Sequence, residues 1–78
     1  MVVAGVLIKT APGTTKQVID RLRQTEGISY ALAVFGRYDI VTMIKDVKDL
    51  DDAGRFITEK VAKIDGVTST ETLIAANI

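Results

Sequence analysis

The stretch GISYALAVFGRYDIVTMIKD, residues 27–46, decides the reading of this chain. Two apolar runs flank the tetrapeptide Gly36-Arg37-Tyr38-Asp39. Apolar, β-branched-rich runs separated by turn residues read as two antiparallel strands joined by a hairpin. Ile28–Phe35 is the first strand of that pair, Gly36–Tyr38 turns the chain, and Asp39 or Ile40 to Lys45 is the second. Gly36 and Asp39 suit a turn on structural grounds alone. Arg37 and Tyr38 are less demanded by that role. Together the four residues present a backbone N–H, a cation, a phenol and a carboxylate at one sheet edge. Such a set can hold a zwitterion, with Asp39 taking an ammonium group and backbone N–H groups or Arg37 taking a carboxylate. The residues alone read equally well as a turn and as a binding loop.

Outward from the hairpin, each half of the chain repeats one plan. Val2–Ile8 is an apolar run that reads as a strand, and Pro12-Gly13 stops it. Thr14 or Thr15 can cap a helix there. Val18, Ile19 and Leu22 then recur at helical spacing, with Lys16, Asp20, Arg21 and Arg23 on the other side. Gly27 ends this helix. Beyond the hairpin, Asp46 or Asp49 caps a second helix, and Asp49, Asp51 and Asp52 crowd its first turns, where the dipole favours anions. Leu50, Ala53, Phe56, Ile57, Val61 and Ile64 form its apolar stripe, and Gly66 ends it. Val67–Ala76 reads as the last strand. Leu7-Ile8-Lys9 before the first helix echoes Met43-Ile44-Lys45 before the second, and Glu26-Gly27-Ile28 echoes Asp65-Gly66-Val67. The order strand, helix, strand, strand, helix, strand is that of a ferredoxin-like α+β sandwich, a four-stranded antiparallel sheet with two helices on one face. The elements fill residues 1–78 as one domain.

Strand alternation exposes a problem. A sheet covered by helices on one side should be polar on its other side if that side meets water. Here Val2, Ala4, Val6 and Ile8 oppose Val3, Gly5 and Leu7. Ile28, Tyr30, Leu32 and Val34 oppose Ala31, Ala33 and Phe35, and Ile40 and Ile44 oppose Val41 and Met43. Both faces are apolar. A second apolar face of about 600 Å² would contribute on the order of 15 kcal/mol before the costs of association. The expectation is therefore an obligate oligomer, at least a dimer packed sheet to sheet.

Composition narrows the chemistry. The 78 residues contain no Cys and no His, and ten basic residues balance ten acidic ones. A disulfide framework, a zinc-thiolate site and the commonest general base are thereby removed. No cofactor or metal is expected. No basic stripe suits a phosphate backbone. The sheet aromatics Tyr30 and Phe35 lack the basic surroundings of an RNA-recognition surface. No apolar run approaches the roughly 20 residues of a membrane span. The apolar start has no positive n-region or cleavage site, so a signal peptide is not expected and the location reads as cytoplasmic. Asp46, Asp49, Asp51 and Asp52 lie at different angles and read as a cap and a solvated turn. Lys9 and Lys45 read as solubilising strand ends. The hydroxyls of Thr68, Ser69, Thr70 and Thr72 fit strand propensity, and near a ligand loop they would also offer hydrogen bonds.

The opening Val-Leu-Ile-Lys-Thr with Pro12-Gly13, the Gly36-x-Tyr38-Asp39 turn, the helix exit Ile64-Asp65-Gly66-Val67 and the strand motif Thr70-x-Thr72 resemble, in order and spacing, the effector (RAM) domain of the leucine-responsive regulatory protein/AsnC family. The resemblance implies a regulatory domain rather than an enzyme. It implies a sheet-to-sheet dimer, assembly of dimers into rings of eight or ten chains, and an amino-acid effector held between neighbouring dimers. It maps that site to Gly36, Tyr38 and Asp39, and more weakly to Thr70 and Thr72. Arg37 falls at the variable position of the turn and receives no role from it. Family members carry an N-terminal DNA-binding helix-turn-helix. This chain starts at the first strand, so a stand-alone effector domain is expected, without direct nucleic-acid or membrane contact and with a full-length regulator as a possible partner. Three rivals share the topology: a dimeric α+β barrel enzyme, a structural oligomerisation module, and an ACT-type regulatory domain. The first needs an acid/base pair that the sequence does not offer, and the last usually has its glycine loop after the first strand, where only Gly13 stands.

Overall fold

A computed structural model describes residues 2–75 of the chain. Its elements are β1 (Val2–Thr10), α1 (Thr15–Arg23), β2 (Ile28–Ala33), β3 (Ile40–Val47), α2 (Leu50–Phe56) with a continuing π-helical turn (Ile57–Val61), and β4 (Val67–Ile74). The strands form one antiparallel sheet in the order β2-β3-β1-β4. This is the expected ferredoxin-like sandwich, with both helices on one face. Ala76, the expected end of the last strand, and the facing of the Val2 side chain lie outside the described residues.

The core sits between helices and sheet. Ala4, Val6 and Ile8 of β1 and Ile40, Ile44 and Val47 of β3 meet Val18, Ile19 and Leu22 of α1 and Ala53, Ile57 and Val61 of the second helical segment. Thr42 is the one polar residue buried among the described side chains. Its hydroxyl donates to the Tyr30 carbonyl, so no unpaired polar atom enters the core.

Three bulges change the facing of residues, one of them an extra Thr68 on β4 between the pairs Lys9–Ser69 and Thr10–Val67. Ile28 pairs with Ile44 and Tyr30 with Met43, so Ser29 is an extra residue on β2. Beyond it the alternation reverses. Ala31 enters the core at 1% exposure, while Tyr30 and Leu32 turn outward at 43% and 51%. Simple alternation puts Tyr30 and Leu32 on the face of Ile28, which the bulge corrects, while their opposition to Ala31 holds. A second irregularity lies between the pairs Val2–Val47 and Ala4–Ile44. Asp46 stands there at φ 60°, a left-handed conformation that Asp tolerates better than most residues. It carries β3 two residues past Lys45, so Ile44 and Val47, three apart, are both buried.

Asp46 is thus a bulge residue, and Asp49 is the helix cap. Asp49 Oδ1 accepts from the Asp52 N–H at 2.8 Å, and Asp52 Oδ2 accepts from the Lys48 N–H at 3.1 Å. At the other helix Thr14 holds the cap position, but its hydroxyl donates back to the Ala11 carbonyl at 2.8 Å. Leu50 leaves the apolar stripe and is exposed. The π turn closes with Ala62 N–H to the Ile57 carbonyl. Its wider winding keeps Ala53, Ile57 and Val61, each four apart, on the buried face. Both helices end before the glycines assigned to stop them, α1 at Arg23 and the π turn at Val61. The glycines serve packing. Gly27 lies against the Phe56 ring, and Gly66, at φ 101°, lies against Thr14 and Val18. Each helix exit therefore rests on the other helix, which explains the echo in the sequence.

Candidate functional site

The open face of the sheet follows from the strand pairing. Gly5 pairs with Met43 and Leu73, Leu7 with Val41 and Glu71, Tyr30 with Met43, and Leu32 with Val41. Directly paired residues share a face. Val3, Leu7, Tyr30, Leu32, Val41, Met43 and Leu73 therefore form one apolar surface opposite the helices. Val3 and Leu73 are each 50% exposed. Because Gly5 has no side chain, the surface dips there into a shallow apolar depression of about 240 Å³. The helices bound a larger cleft of about 890 Å³ on their side, lined by solvated residues such as Asp20, Arg21, Lys60 and Lys63. Among the described residues no buried polar atom lacks a partner there, and no acidic group is arranged to hold a metal.

The β2–β3 turn sits at one corner of the open face. Val34 N–H donates to the Asp39 carbonyl at 3.0 Å, closing a loop over residues 35–38. β2 ends at Ala33, two residues before the expected Phe35, and Phe35 stands fully exposed on the loop. Gly36 has φ 134°, and a Cβ there would meet nothing within 4 Å. Glycine is needed at this point for its backbone freedom, not for space.

Asp39 and Tyr38 turn in different directions. Asp39 N–H donates to the Ile8 carbonyl at 2.9 Å. Asp39 Oδ2 accepts the Thr10 backbone N–H at 2.9 Å and the Thr10 hydroxyl at 3.2 Å. The Thr10 and Thr15 hydroxyls are 2.8 Å apart. The Asp39 carboxylate thus ties the end of β1 on the side of α1. Tyr38 instead crosses the open face and donates its phenolic proton to Glu71 Oε1 at 2.6 Å. β1 lies between β3 and β4, so this bond spans two strand spacings, about 10 Å of sheet. The Glu71 carboxylate, as acceptor, holds the Tyr38 phenol above its ordinary value of 10.0.

Thr70 pairs with Ile8 and Thr72 with Val6, so both point to the helix side of the edge strand. Of the five residues singled out in the sequence, Gly36, Tyr38 and Asp39 share one loop, while Thr70 and Thr72 lie on the far side of the sheet from the Tyr38 phenol. Glu71, between those threonines, meets Tyr38, and Thr10 meets Asp39. The two-residue period of Thr70-Glu71-Thr72 puts Glu71 opposite its neighbours. That it meets Tyr38 depends on β4 lying beside β1.

The described fold and corner define a class: a ferredoxin-like sandwich with one uncovered apolar sheet face and a charged, hydrogen-bonded turn at its corner. Comparison with known proteins specifies it. The model of the Lrp/AsnC ligand binding domain matches residues 3–78, and the chain belongs to that family. It is 39% identical over 77 residues to the HTH-type transcriptional regulator PH0140 of Pyrococcus horikoshii, covering 99% of this chain and 48% of the regulator. The chain thus spans about half the length of that relative. Among solved structures, FFRP-DM1 superimposes with a TM-score of 0.86 at 34% identity, covering 97% of this chain and all of its own. The protein PHS023 of Pyrococcus horikoshii superimposes with a TM-score of 0.84 at 33% identity, covering 100% of this chain and 93% of its own. As a member of a ligand-binding domain family of transcriptional regulators, this domain is regulatory and not catalytic. Among the described residues, no helix is long and apolar enough to cross a membrane.

Proposed function

We propose that the domain binds an amino-acid effector at the Gly36–Asp39 corner and couples that binding to assembly of the chain with its own copies. The observation that carries this reading is the placement of a polar corner on the rim of an uncovered apolar sheet face. Val3, Tyr30, Leu32 and Leu73 would be buried by a second copy packed face to face. A ligand at the rim then contacts a boundary between chains, and its binding energy favours whichever assembly forms the better pocket. Thr70 and Thr72, on the helix side of the exposed edge strand, would serve a neighbouring dimer rather than the same pocket as Tyr38. The regulatory output would pass to a transcriptional regulator of the same family, in agreement with the relatives found.

Native mass spectrometry with and without each of the twenty amino acids tests this reading. The expected result is an even-numbered oligomer that takes up one or a few of the amino acids at one per chain, with a change in the distribution of assemblies. A stable oligomer that takes up none of them would reduce the corner to a turn and the domain to an assembly module.

A further inference from the structure

The two edges of the sheet are built differently. At the β2 edge, Val34 N–H donates to the Asp39 carbonyl. The alternation of an antiparallel ladder then turns the backbone groups of Ala31 and Ala33 outward. Arg23 Nη2 donates to the outward Ala31 carbonyl at 3.0 Å, and the extra Ser29 interrupts the strand. α1 packs against this strand. A short, bulged and capped strand is closed to further pairing. β4 is built otherwise. Its extra residue, Thr68, lies at its start, and pairing runs in register from Ser69 to Ile74. Ala75 N–H donates to the Val3 carbonyl at 2.9 Å. By the same alternation, Ser69, Glu71 and Leu73 make the ladder to β1, and Thr70, Thr72 and Ile74 turn their N–H and C=O groups outward. The side-chain bonds described for β4 are those of Thr68 and Glu71, and neither reaches this edge. Such a row of open backbone groups is a template for another strand. Among the described strands, the one whose open groups match it is β4 itself.

We propose that β4 pairs edge to edge with β4 of a second copy, antiparallel about a two-fold axis through Thr72. Thr72 then faces Thr72, and Thr70 faces Ile74 on either side of the axis. The three outward residues of each copy exchange about six backbone hydrogen bonds. Glu71 falls opposite Leu73 and not opposite a second Glu71. The two Thr72 side chains meet on the helix side, where Thr–Thr pairs are favourable. Because the net gain of each backbone hydrogen bond is modest, this ladder does not hold two lone chains together. The inference therefore rests on the reading that copies first meet through the open sheet face. Each such pair carries two β4 edges, so it can join a further pair on either side, with the sheets running on from one pair to the next.

The chain has no cysteine, so single cysteines report the contact without interference. Facing residues of a hydrogen-bonded pair lie about 5.5 Å apart at Cα, inside the disulfide range of about 4.4–6.8 Å. Thr72→Cys should therefore oxidise to a covalent dimer on a denaturing gel. Thr68→Cys, exposed on the same strand, would stand about 26 Å from its mate at about 3.3 Å per residue, and should stay single. Amide hydrogen exchange on the wild type adds a second reading. Thr70, Thr72 and Ile74 should exchange as slowly as Glu71 and Leu73, and faster on dilution. Thr72→Pro removes an outward N–H and no bond to β1. It should keep the protection of Glu71 and Leu73, lose that of Thr70 and Ile74, and reduce the assembly to dimers. If Thr72→Pro does not fold, the wild-type exchange and the cysteine pair decide alone. An oligomer whose Thr70, Thr72 and Ile74 amides exchange freely overturns the edge contact and leaves the open-face reading standing. So does one in which Thr68→Cys links as readily as Thr72→Cys. A wild type that stays monomeric at every concentration removes both.

Discussion

Asp39 shows how one residue can belong to a site motif and still be structural. Its carboxylate satisfies the backbone N–H of Thr10, where β1 leaves the sheet. Asp39→Ala would leave that part-buried donor without its acceptor and should destabilise the fold by about 1–3 kcal/mol. Asp39→Asn keeps an acceptor oxygen and should recover most of the loss, with urea denaturation reading both. A loss of ligand in Asp39→Ala alone is therefore a statement about folding before it is one about binding. Tyr38 gives the complementary case. Its phenol is raised above 10.0 chiefly by the hydrogen bond to Glu71. A raised group stabilises the fold fully below its unfolded value and loses that stability as pH rises through its folded value. Spectrophotometric titration should find Tyr38 ionising above the ordinary value of a phenol, and Glu71→Gln should shift it back down. The tetrapeptide itself was legible in the sequence as a turn with chemistry. Its partners were not, because Thr10 lies 29 residues from Asp39, and Glu71 lies 33 from Tyr38. Only the sheet order brings them close.

At the scale of elements, the six segments were legible because their periodicity is strong, and their order fixes the topology. The facing of residues was less legible, because extra residues on β2, β3 and β4 shift it. Ser29 and Asp46 each break the two-residue period, and nothing local in the sequence marks either as a bulge. The helix exits carry a sharper signal. Gly66 and Gly36 both have positive φ, yet their surroundings differ. A Cβ on Gly36 meets open space, whereas one on Gly66 would come within 2.7 Å of Thr14 Oγ1 and 2.9 Å of Val18 Cγ2. Gly36→Ala should therefore cost only the conformational penalty of a left-handed residue, about 1–2 kcal/mol. Gly66→Ala should cost that and a further overpacking term of about 1–3 kcal/mol, since α1 must shift. Thermal unfolding of the two variants separates the contributions, and equal losses would mean that α1 yields freely at Thr14.

On the scale of the molecule, one apolar face is more than so short a chain needs. Helices and sheet already enclose a core in which the largest side chains, Ile8, Leu22 and Ile40, are inaccessible to water. The open face adds a second apolar surface that, among the described residues, only Tyr38 of this chain crosses, at its corner. The sequence made this surface visible because both sides of β1 and β3 are apolar. It placed Leu32 on the wrong side, because of the bulge at Ser29. Leu32, 51% exposed beside Val41, is a sensitive probe of what covers the face. If a second copy covers it, Leu32→Asp buries an unpaired carboxylate in the contact and should drive the chain to monomer. Its melting temperature should then lose the dependence on protein concentration that an assembled wild type must show. Leu50→Asp is the control. Leu50 is more exposed, at 62%, but lies on the helix side. It should leave the mass unchanged in sedimentation equilibrium. If both substitutions give monomers, charge alone weakens the assembly and the sheet face is not its seat. If neither does, the copies meet elsewhere, and the polar corner at Tyr38 and Glu71 lies away from the boundary between chains.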